Sequence, residues 1–449
     1  MRFPADFVWG AASASYQIEG GAAADGKGPS IWDTFSHTPG KVYHGHTGDT
    51  ACNTYADPDT DLDLMVQLGI SNYRFSISWP RVMPTGRRPV NEAGLAYYDR
   101  LVDGCLRRGI TPWITLFHWD LPQALEDEGG WLSRSTADAF GDYAALIASH
   151  FKGRVKRFFT LNEPQCSIVL GYGVGEHAPG KKLGMSAVFQ GYLTQMLAHG
   201  KAVKAIRDII PDAEIGLATC GNVCYPVTES AQDIEAARTL TFSPLDDGMF
   251  SQLFNHHWFL DPLVLGRFPD TGSPELLAAA AAVPQSDLDT ICQPLDFLAL
   301  NIYQGAPALM TENGPALAPE KVNTTLTAIK WPITPEVLRW APQFIHERYG
   351  LPIYISENGL SCNDKVYLDG SVHDLDRIDF LTRYLTQLKG AVDSGVPVKG
   401  YFHWSLTDNF EWAYGYSERF GLIYVDYDTQ QRIVKDSARW YSELIRSQK

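Results

Sequence analysis

The sequence predicts an α/β fold: a single (β/α)8 barrel with long loops at the carboxyl-terminal ends of its strands, forming one domain over residues 1–449. Eight short β-prone runs are each followed by a helical segment or a long loop, which is the order of a parallel barrel. Polar and aromatic residues follow directly after the predicted strands. No linker, low-complexity stretch or change in composition marks a second domain.

The predicted strands are short runs of apolar, β-branched and aromatic residues. Such residues favour strands, and a short apolar run that ends at a turn is typical of a strand buried on both faces. In chain order the eight runs are 7–12, 73–77, 110–117, 158–161, 213–219, 295–300, 353–356 and 398–403.

The predicted helices show apolar residues at helical spacing and often end at glycine. In the first of them Leu62, Met65 and Val66 lie on one side, and Gly69 follows as the stop. The inserts 20–57, 221–289 and 305–334 are expected to be loops around the mouth, irregular except for a small apolar helix at 276–283. The helices are 59–68, 91–108, 136–151, 186–209, 335–349, 374–394 and, at the end of the chain, 435–447.

Composition excludes some kinds of partner. The net charge of −15 argues against nucleic acid and anionic membranes, and no run of about 18 apolar residues predicts a membrane span. Seven scattered cysteines and an N-terminus without an apolar signal core predict a cytoplasmic protein with reduced thiols. The sequence leaves the oligomeric state open, and a homo-oligomer remains possible.

Aromatic residues are abundant, with 12 Trp, 21 Tyr and 21 Phe, and several have polar neighbours. Flat apolar rings beside hydrogen-bonding groups suit a sugar, which has apolar faces and a rim of hydroxyls. Trp79 is instead expected to be core.

Two glutamates end strand-like runs of the same design. Glu357 follows the run 353–356 and precedes Asn358, whereas Glu163 follows Asn162 and precedes Pro164. A single strand-end glutamate most often pairs with an arginine. Two of them in a predicted barrel indicate instead a pair of carboxylates at one rim.

Two facing carboxylates suit acid–base chemistry on a glycosidic bond. One protonates the leaving oxygen; the other attacks as a nucleophile at a separation of about 5 Å, or activates water at about 6.5–9.5 Å. The sequence leaves these two mechanisms open. Arg74 and Tyr303, near predicted strand ends, are candidates to keep one carboxylate ionised.

No metal site or cofactor is expected. His44 with His46, and His256 with His257, have no third ligand in view. The glycine-rich stretch 21–28 resembles a phosphate-binding loop, but Gly28 stands where a hydroxyl residue is required.

Five stretches, 7–20, 73–81, 116–122, 160–164 and 355–359, resemble in the same order the signatures of the glycoside hydrolase family 1 β-glucosidases. This is a family of retaining enzymes with a clan A type barrel, and the resemblance extends from Phe7 to Tyr427. It implies retaining hydrolysis with Glu357 as nucleophile and Glu163 as acid/base. Cellobiose, cello-oligosaccharides, and aryl or alkyl β-glucosides are the implied substrates.

The resemblance also implies roles for other residues. Asn162 would contact the sugar 2-hydroxyl, Arg74 and Tyr303 would orient the nucleophile, and His177 would line the entrance. The residues that match the sugar-binding positions are Gln17, His118, Trp119, Asn162, Asn301, Tyr303, Trp331, Trp404, Glu411, Trp412 and Phe420.

Three other functions are possible on such a barrel: sugar binding without catalysis, action on other β-glycosides, and action on 6-phosphorylated sugars. A non-catalytic sugar-binding barrel would be expected to lack one glutamate, yet both are present. Preference for β-galactosides or β-fucosides, or transglycosylation, stays open. A 6-phosphorylated sugar is disfavoured because Glu411 would repel the phosphate.

Overall fold

In a computed structural model, which describes residues 1–319 and 321–448, eight parallel strands close into a barrel. Around the barrel the order is β1-β8-β7-β6-β5-β4-β3-β2, and β1 pairs with both β2 and β8. The predicted fold is therefore confirmed. The strands are β1 (Val8–Ala12), β2 (Asn72–Ser76), β3 (Thr111–Phe117), β4 (Arg157–Asn162), β5 (Glu214–Thr219), β6 (Leu298–Asn301), β7 (Ile353–Asn358) and β8 (Val398–Trp404).

The register is regular in one part of the barrel and broken in another. Strands β2 and β3 pair without interruption. Between β4 and β5 the register shifts between Phe159 and Asn162, and between β7 and β6 it shifts between Ile355 and Glu357. Such irregularities re-aim side chains at barrel rims. Here they come immediately before Glu163 and at Glu357.

Helices surround the barrel, and those expected from the sequence are present with ends within about two residues of the expected ones. Two further segments, Cys166–Val174 and Asp261–Leu265, are π-helical. The α-helices are Ser15–Ile18, Ile31–Ser36, Asp59–Leu68, Trp79–Val82, Glu92–Arg107, Gln123–Asp127, Arg134–Phe151, Met185–Ile209, Ala231–Thr241, Met249–Leu253, His257–Leu260, Pro274–Ala281, Gln285–Ile291, Val337–Tyr349, Leu375–Asp393 and Asp436–Ser447.

The hydrophobic core has an inner and an outer part. The outer part lies between strands and helices and includes Trp79, which is fully buried as expected. The inner part fills the barrel with aromatic rings. Its packing gives the polar residues above it a rigid floor. The rings of this floor are Trp113, Phe159, Phe297, Tyr354 and Phe402.

The expectation that the long inserts are irregular is wrong. Between β5 and β6 lie five α-helices and the π-helical segment Asp261–Leu265. Strand Cys224–Pro226 pairs with Ala306–Thr311, which pairs in turn with Gly314–Leu317. These strands are short, and the first partners are far apart in the sequence. Pairing of this kind is set by tertiary contacts, and local pattern does not reveal it.

The sixth strand begins at Leu298, later than expected. Just before it, the Asp296 carboxylate accepts a hydrogen bond of 2.8 Å from the Ile215 N–H. The Asp296 N–H in turn donates to the Ile215 carbonyl at 2.9 Å, so the side chain and the backbone of Asp296 both bond β5 at the strand entrance. Within 1–319 and 321–448, none of the helices combines the length and apolar character that a membrane crossing requires.

Candidate active site

A cavity of about 1340 Å³ opens at the carboxyl-terminal ends of the strands. Both glutamates line it, together with most of the other residues selected from the sequence. The barrel therefore brings together side chains from every part of the chain. The selected residues on the cavity wall are His118, Trp119, Glu163, His177, Asn301, Tyr303, Trp331, Glu357, Trp404, Glu411, Trp412 and Phe420.

Three selected residues lie behind this wall. Gln17 and Asn162 are fully buried, and Arg74 is 1% exposed. Each contacts residues that line the cavity: Arg74 bonds Glu357, Asn162 bonds Asn301 and His118, and Gln17 bonds Glu411. These hydrogen bonds connect the three residues directly to the cavity wall.

Glu357 ends β7 and receives two direct hydrogen bonds. Arg74 Nη1 donates to Oε1 at 2.6 Å, and the Tyr303 hydroxyl donates to Oε2 at 2.9 Å. Burial raises the pKa of Glu357, and the Arg74 charge and both hydrogen bonds oppose that rise. A charge-assisted pair favours the ionised form, so Glu357 is equipped to act as a carboxylate.

Glu163 follows β4 in a different environment. Burial and the neighbouring Glu357 charge raise its pKa to about 8. No lysine or arginine of the described residues forms a salt bridge with it. This carboxyl group is therefore protonated near neutrality and available as an acid.

The two carboxyl groups are neighbours and share a partner. The Asn301 amide lowers the pKa of both Glu163 and Glu357, and the charge of Glu357 raises the pKa of Glu163. Groups that interact this strongly titrate as a pair. The proton stays on Glu163 because Arg74 and Tyr303 stabilise the negative charge of Glu357.

A hydrogen-bond network fixes the orientation of His118. Arg74 Nη2 and Asn301 Nδ2 both donate to Asn162 Oδ1, so the Asn162 amide nitrogen must point to His118 Nε2, 3.0 Å away. The imidazole therefore accepts at Nε2 and carries its proton at Nδ1. Burial lowers the His118 pKa well below its usual value. Nδ1 is buried and has no partner among the described residues, so it is free to donate to a ligand.

Aromatic rings form two groups. In one group the His118 ring stacks with Trp404 and Trp412 at 5.7 and 5.9 Å between centroids, and Trp119 lies 4.5 Å from Trp412. A second group consists of Tyr303, Trp331 and Phe420, whose rings lie 5.2 to 6.2 Å apart and belong to the same cluster as Trp404. A sugar in the cavity would meet the apolar faces of these rings.

Glu411 adds a third carboxyl group to the cavity. Burial, Glu357 and Glu418 raise its pKa to about 8. Gln17 Nε2 lies 3.4 Å from Glu411 Oε2, and Gln17 Oε1 is buried without a partner in the described part of the chain. Polar atoms left unpaired next to a cavity are suited to ligand hydroxyls.

Three residues of the site have left-handed backbone conformations. The φ angles are 78° at Trp119, 45° at Glu163 and 52° at Trp412. Positive φ is uncommon for residues other than glycine and is concentrated at functional sites. It directs these side chains into the cavity.

Sequence reasoning missed four residues around the carboxylates. Arg74 Nε donates to Thr115 Oγ1 at 3.2 Å, and the Ser356 hydroxyl donates to Asn301 Oδ1 at 2.6 Å. Cys166 and Cys220 lie beside Glu163 on the cavity wall. Thr115 lies within β3 and Ser356 within β7. Both strands were predicted, and the alternation of side chains between the two faces of a strand could have indicated these residues. The two cysteines carry no such signal.

Two buried glutamates with unequal surroundings share a cavity with aromatic rings at the mouth of a (β/α)8 barrel, an arrangement that fits a glycoside hydrolase. Comparison with known proteins leads to the same class of enzyme. The profile described as glycosyl hydrolase family 1 matches residues 1–449. The chain belongs to this family, as its motifs indicated.

Proteins similar to this chain cover almost its whole length. A 1,4-beta-D-glucan glucohydrolase of Thermotoga neapolitana is 43% identical over 99% of this chain and 98% of the relative. A bifunctional beta-D-glucosidase/beta-D-fucosidase of Bifidobacterium breve is 42% identical over 99% and 98%. The structure of a beta-glucosidase from Thermotoga maritima in complex with deoxynojirimycin superposes with a TM-score of 0.89 at 42% identity, covering 100% of this chain and 99% of that one.

Proposed function

We propose that the enzyme is a β-glucosidase that removes terminal non-reducing β-D-glucosyl residues from cellobiose, cello-oligosaccharides, and aryl or alkyl β-glucosides. The observation that carries this proposal is the pair of neighbouring glutamates, of which only Glu357 has a cation and a phenol as direct partners. Relatives named as β-glucosidases, similar over almost the whole chain, support the substrate class.

The proposed mechanism retains the anomeric configuration. In the first step a Glu357 oxygen attacks the anomeric carbon while Glu163 gives its proton to the glycosidic oxygen, and the bond to the leaving group breaks. In the second step Glu163, now a carboxylate, takes a proton from water. The water oxygen attacks the anomeric carbon, and Glu357 leaves with its electron pair. Both glutamates end in their starting states.

The residues around the pair have proposed binding roles. His118 donates from Nδ1 to a sugar hydroxyl, and Gln17 and Glu411 accept from the outer hydroxyls. Asn162 contacts the 2-hydroxyl, where interactions strengthen in the transition state. Trp404 supports the ring, Trp331 faces the leaving group, and the remaining wall residues complete the contact.

Side activities follow from the same site. The Bifidobacterium breve relative is named for both β-glucosidase and β-fucosidase activity, so we propose β-fucosidase and β-galactosidase side activities here. Transfer of the glucosyl group to an alcohol in place of water is chemically equivalent in the second step. A 6-phosphate would instead meet the carboxylate of Glu357 and, above pH 8, that of Glu411.

Rates on p-nitrophenyl β-glucoside, β-galactoside, β-fucoside and β-glucoside 6-phosphate, with cellobiose in parallel, test the specificity. We expect cleavage of the glucoside and cellobiose and no cleavage of the phosphate. NMR of the first sugar released tests the mechanism, because retention gives the β-anomer first. An α-anomer appearing first would overturn the retaining mechanism.

We also propose where the enzyme acts. All seven cysteines are free, which fits a reducing compartment and supports a cytoplasmic location. There the enzyme would act on soluble products of cellulose degradation. Cell fractionation tests the location, light scattering tests for a homo-oligomer, and limited proteolysis tests whether residues 1–449 form one domain.

A further inference from the structure

Two cysteines far apart in the sequence meet beside the proposed acid/base. Cys166 begins the π-helical segment after β4, and Cys220 follows β5. Their sulfur atoms lie 3.7 Å apart. A carboxylate oxygen of Glu163 lies within 4.8 Å of both. All three side chains line the active-site cavity, so a solute that enters this cavity can reach them.

The spacing matches that of ligands on one tetrahedral metal ion. Two thiolates bound to Zn²⁺ at about 2.3 Å lie roughly 3.8 Å apart, and a thiolate and a carboxylate oxygen lie roughly 3.6 Å apart. The cysteine sulfurs already have this separation, and the Glu163 oxygen, within 4.8 Å of both, requires a movement of at most about 1.2 Å. A disulfide, by contrast, requires the sulfurs to approach to about 2.05 Å. The geometry favours a shared metal ion.

We propose that Cys166, Cys220 and Glu163 form a binding site for a thiophilic divalent cation, with Zn²⁺ as its probe, and that occupancy of this site inhibits hydrolysis. Three protein ligands leave a fourth tetrahedral position for water or a sugar hydroxyl. The ligand assignment stands on the geometry alone. The inhibition rests on the proposed acid/base role of Glu163.

The inhibition has a simple chemical cause. Binding replaces the two thiol protons and the Glu163 carboxyl proton by one Zn²⁺, and three protons pass to solvent. A carboxylate bound to zinc has no proton to give to the glycosidic oxygen. Its lone pair is also unavailable to take a proton from water. Both steps of the proposed mechanism therefore stop while the metal is bound.

Zinc titration of p-nitrophenyl β-glucoside hydrolysis tests the inhibition. We expect Zn²⁺ to inhibit, a chelator to restore the rate, and Mg²⁺ to have no effect, since magnesium does not favour thiolates. In Cys220→Ser and Cys166→Ala the inhibitory zinc concentration should rise at least about tenfold, each measured against the variant's own uninhibited rate. Cys224→Ser is the matched control, because Cys224 is buried and borders the same cavity. It should keep the wild-type sensitivity.

Cobalt binding tests the ligands without any assay of activity. Co²⁺ added to the purified enzyme should give a thiolate-to-cobalt charge-transfer band that saturates at one ion per chain. The band should be absent in the double variant Cys166→Ala/Cys220→Ala. In Glu163→Gln it should persist with weaker affinity, because both sulfurs remain.

Several outcomes would decide against the proposal. No cobalt band, or equal zinc sensitivity in wild type, Cys166→Ala and Cys220→Ser, would overturn the site. A cobalt band without zinc inhibition would support the ligand assignment and count against the acid/base role of Glu163. The failure of the site and the failure of the proposed mechanism are thus distinguishable.

Discussion

The ends of β4 and β7 resemble each other in sequence and differ in their surroundings. Each carries a buried glutamate, 7% exposed at Glu163 and 3% at Glu357, and each strand shifts register close to it. Only the second end faces a guanidinium and a phenol as direct partners. The same local design therefore yields one proton donor and one carboxylate.

Burial alone does not make the two glutamates differ. Burial is the largest cause of the raised pKa at both glutamates. Arg74 breaks the symmetry, because its charge lies against Glu357 and favours the ionised form there. The arginine is itself held by Thr115 and Asn162 and lies over the Phe159 ring at 4.7 Å, so its position is fixed.

Removing the carboxylate at β7 should have the largest effect. Glu357→Gln is expected to lower kcat for p-nitrophenyl β-glucoside by about 10⁵-fold or more while the variant still binds the substrate, because no nucleophile remains. Steady-state rates and equilibrium binding check this. Glu214→Gln, on β5 at the opposite rim, is the control and should stay active. Appreciable activity in Glu357→Gln would contradict the nucleophile role.

Removing the acid at β4 should have a smaller effect that depends on the leaving group. Glu163→Gln is expected to lower kcat/KM for cellobiose by about 10²- to 10⁴-fold. The loss should be smaller for the p-nitrophenyl glucoside, because p-nitrophenolate leaves without a proton. Equal losses on both substrates would argue against a role in protonating the leaving group.

The pH dependence of kcat/KM should reflect the different protonation states of Glu163 and Glu357. Glu163, with its pKa at about 8, must hold its proton, so kcat/KM should fall about tenfold per pH unit above that value. On the acid side, kcat/KM falls as Glu357 becomes protonated. The alkaline decline should be absent in Glu163→Gln assayed with the p-nitrophenyl glucoside. A decline that survives this change would assign the alkaline limb to another group.

Removing one hydrogen bond from Glu357 should make its pKa more similar to that of Glu163. Tyr303→Phe removes a hydrogen bond to a charged group, worth about 1.5–3 kcal/mol, so we expect kcat/KM to fall about 10- to 100-fold. The pKa of Glu357 should rise, which moves the acid limb to higher pH. Tyr441→Phe, a buried tyrosine that bonds the Gly10 carbonyl, is the control. An unmoved acid limb would contradict the role of Tyr303.

Replacing Glu411, the third carboxyl group in the cavity, should have the smallest effect on the reaction rates. Above pH 8, where Glu411 loses its proton, Glu411→Gln is expected to raise the rate on β-glucoside 6-phosphate relative to β-glucoside by about tenfold, because one like charge is removed from the cavity. The ratio of kcat/KM for the two substrates measures this. An unchanged ratio would mean that the phosphate is rejected on other grounds.

The sequence by itself determined the barrel and most of its site. Strands buried on both faces leave a local signal in their apolar runs, and glycine stops mark helix ends, so the alternation was readable. Parallel strands place their carboxyl ends at one rim. For this reason His118, Glu163, Asn301 and Glu357 were identified without coordinates and lie on one cavity.

Only the tertiary structure decided how these residues differ from one another. The register shifts, the placement of Arg74 against Glu357 rather than Glu163, and the meeting of Cys166 with Cys220 depend on contacts between distant segments. The pairing of Cys224–Pro226 with Ala306–Thr311 has the same origin. Local periodicity records which face of a strand is buried, whereas these contacts depend on which strands become neighbours when the barrel closes.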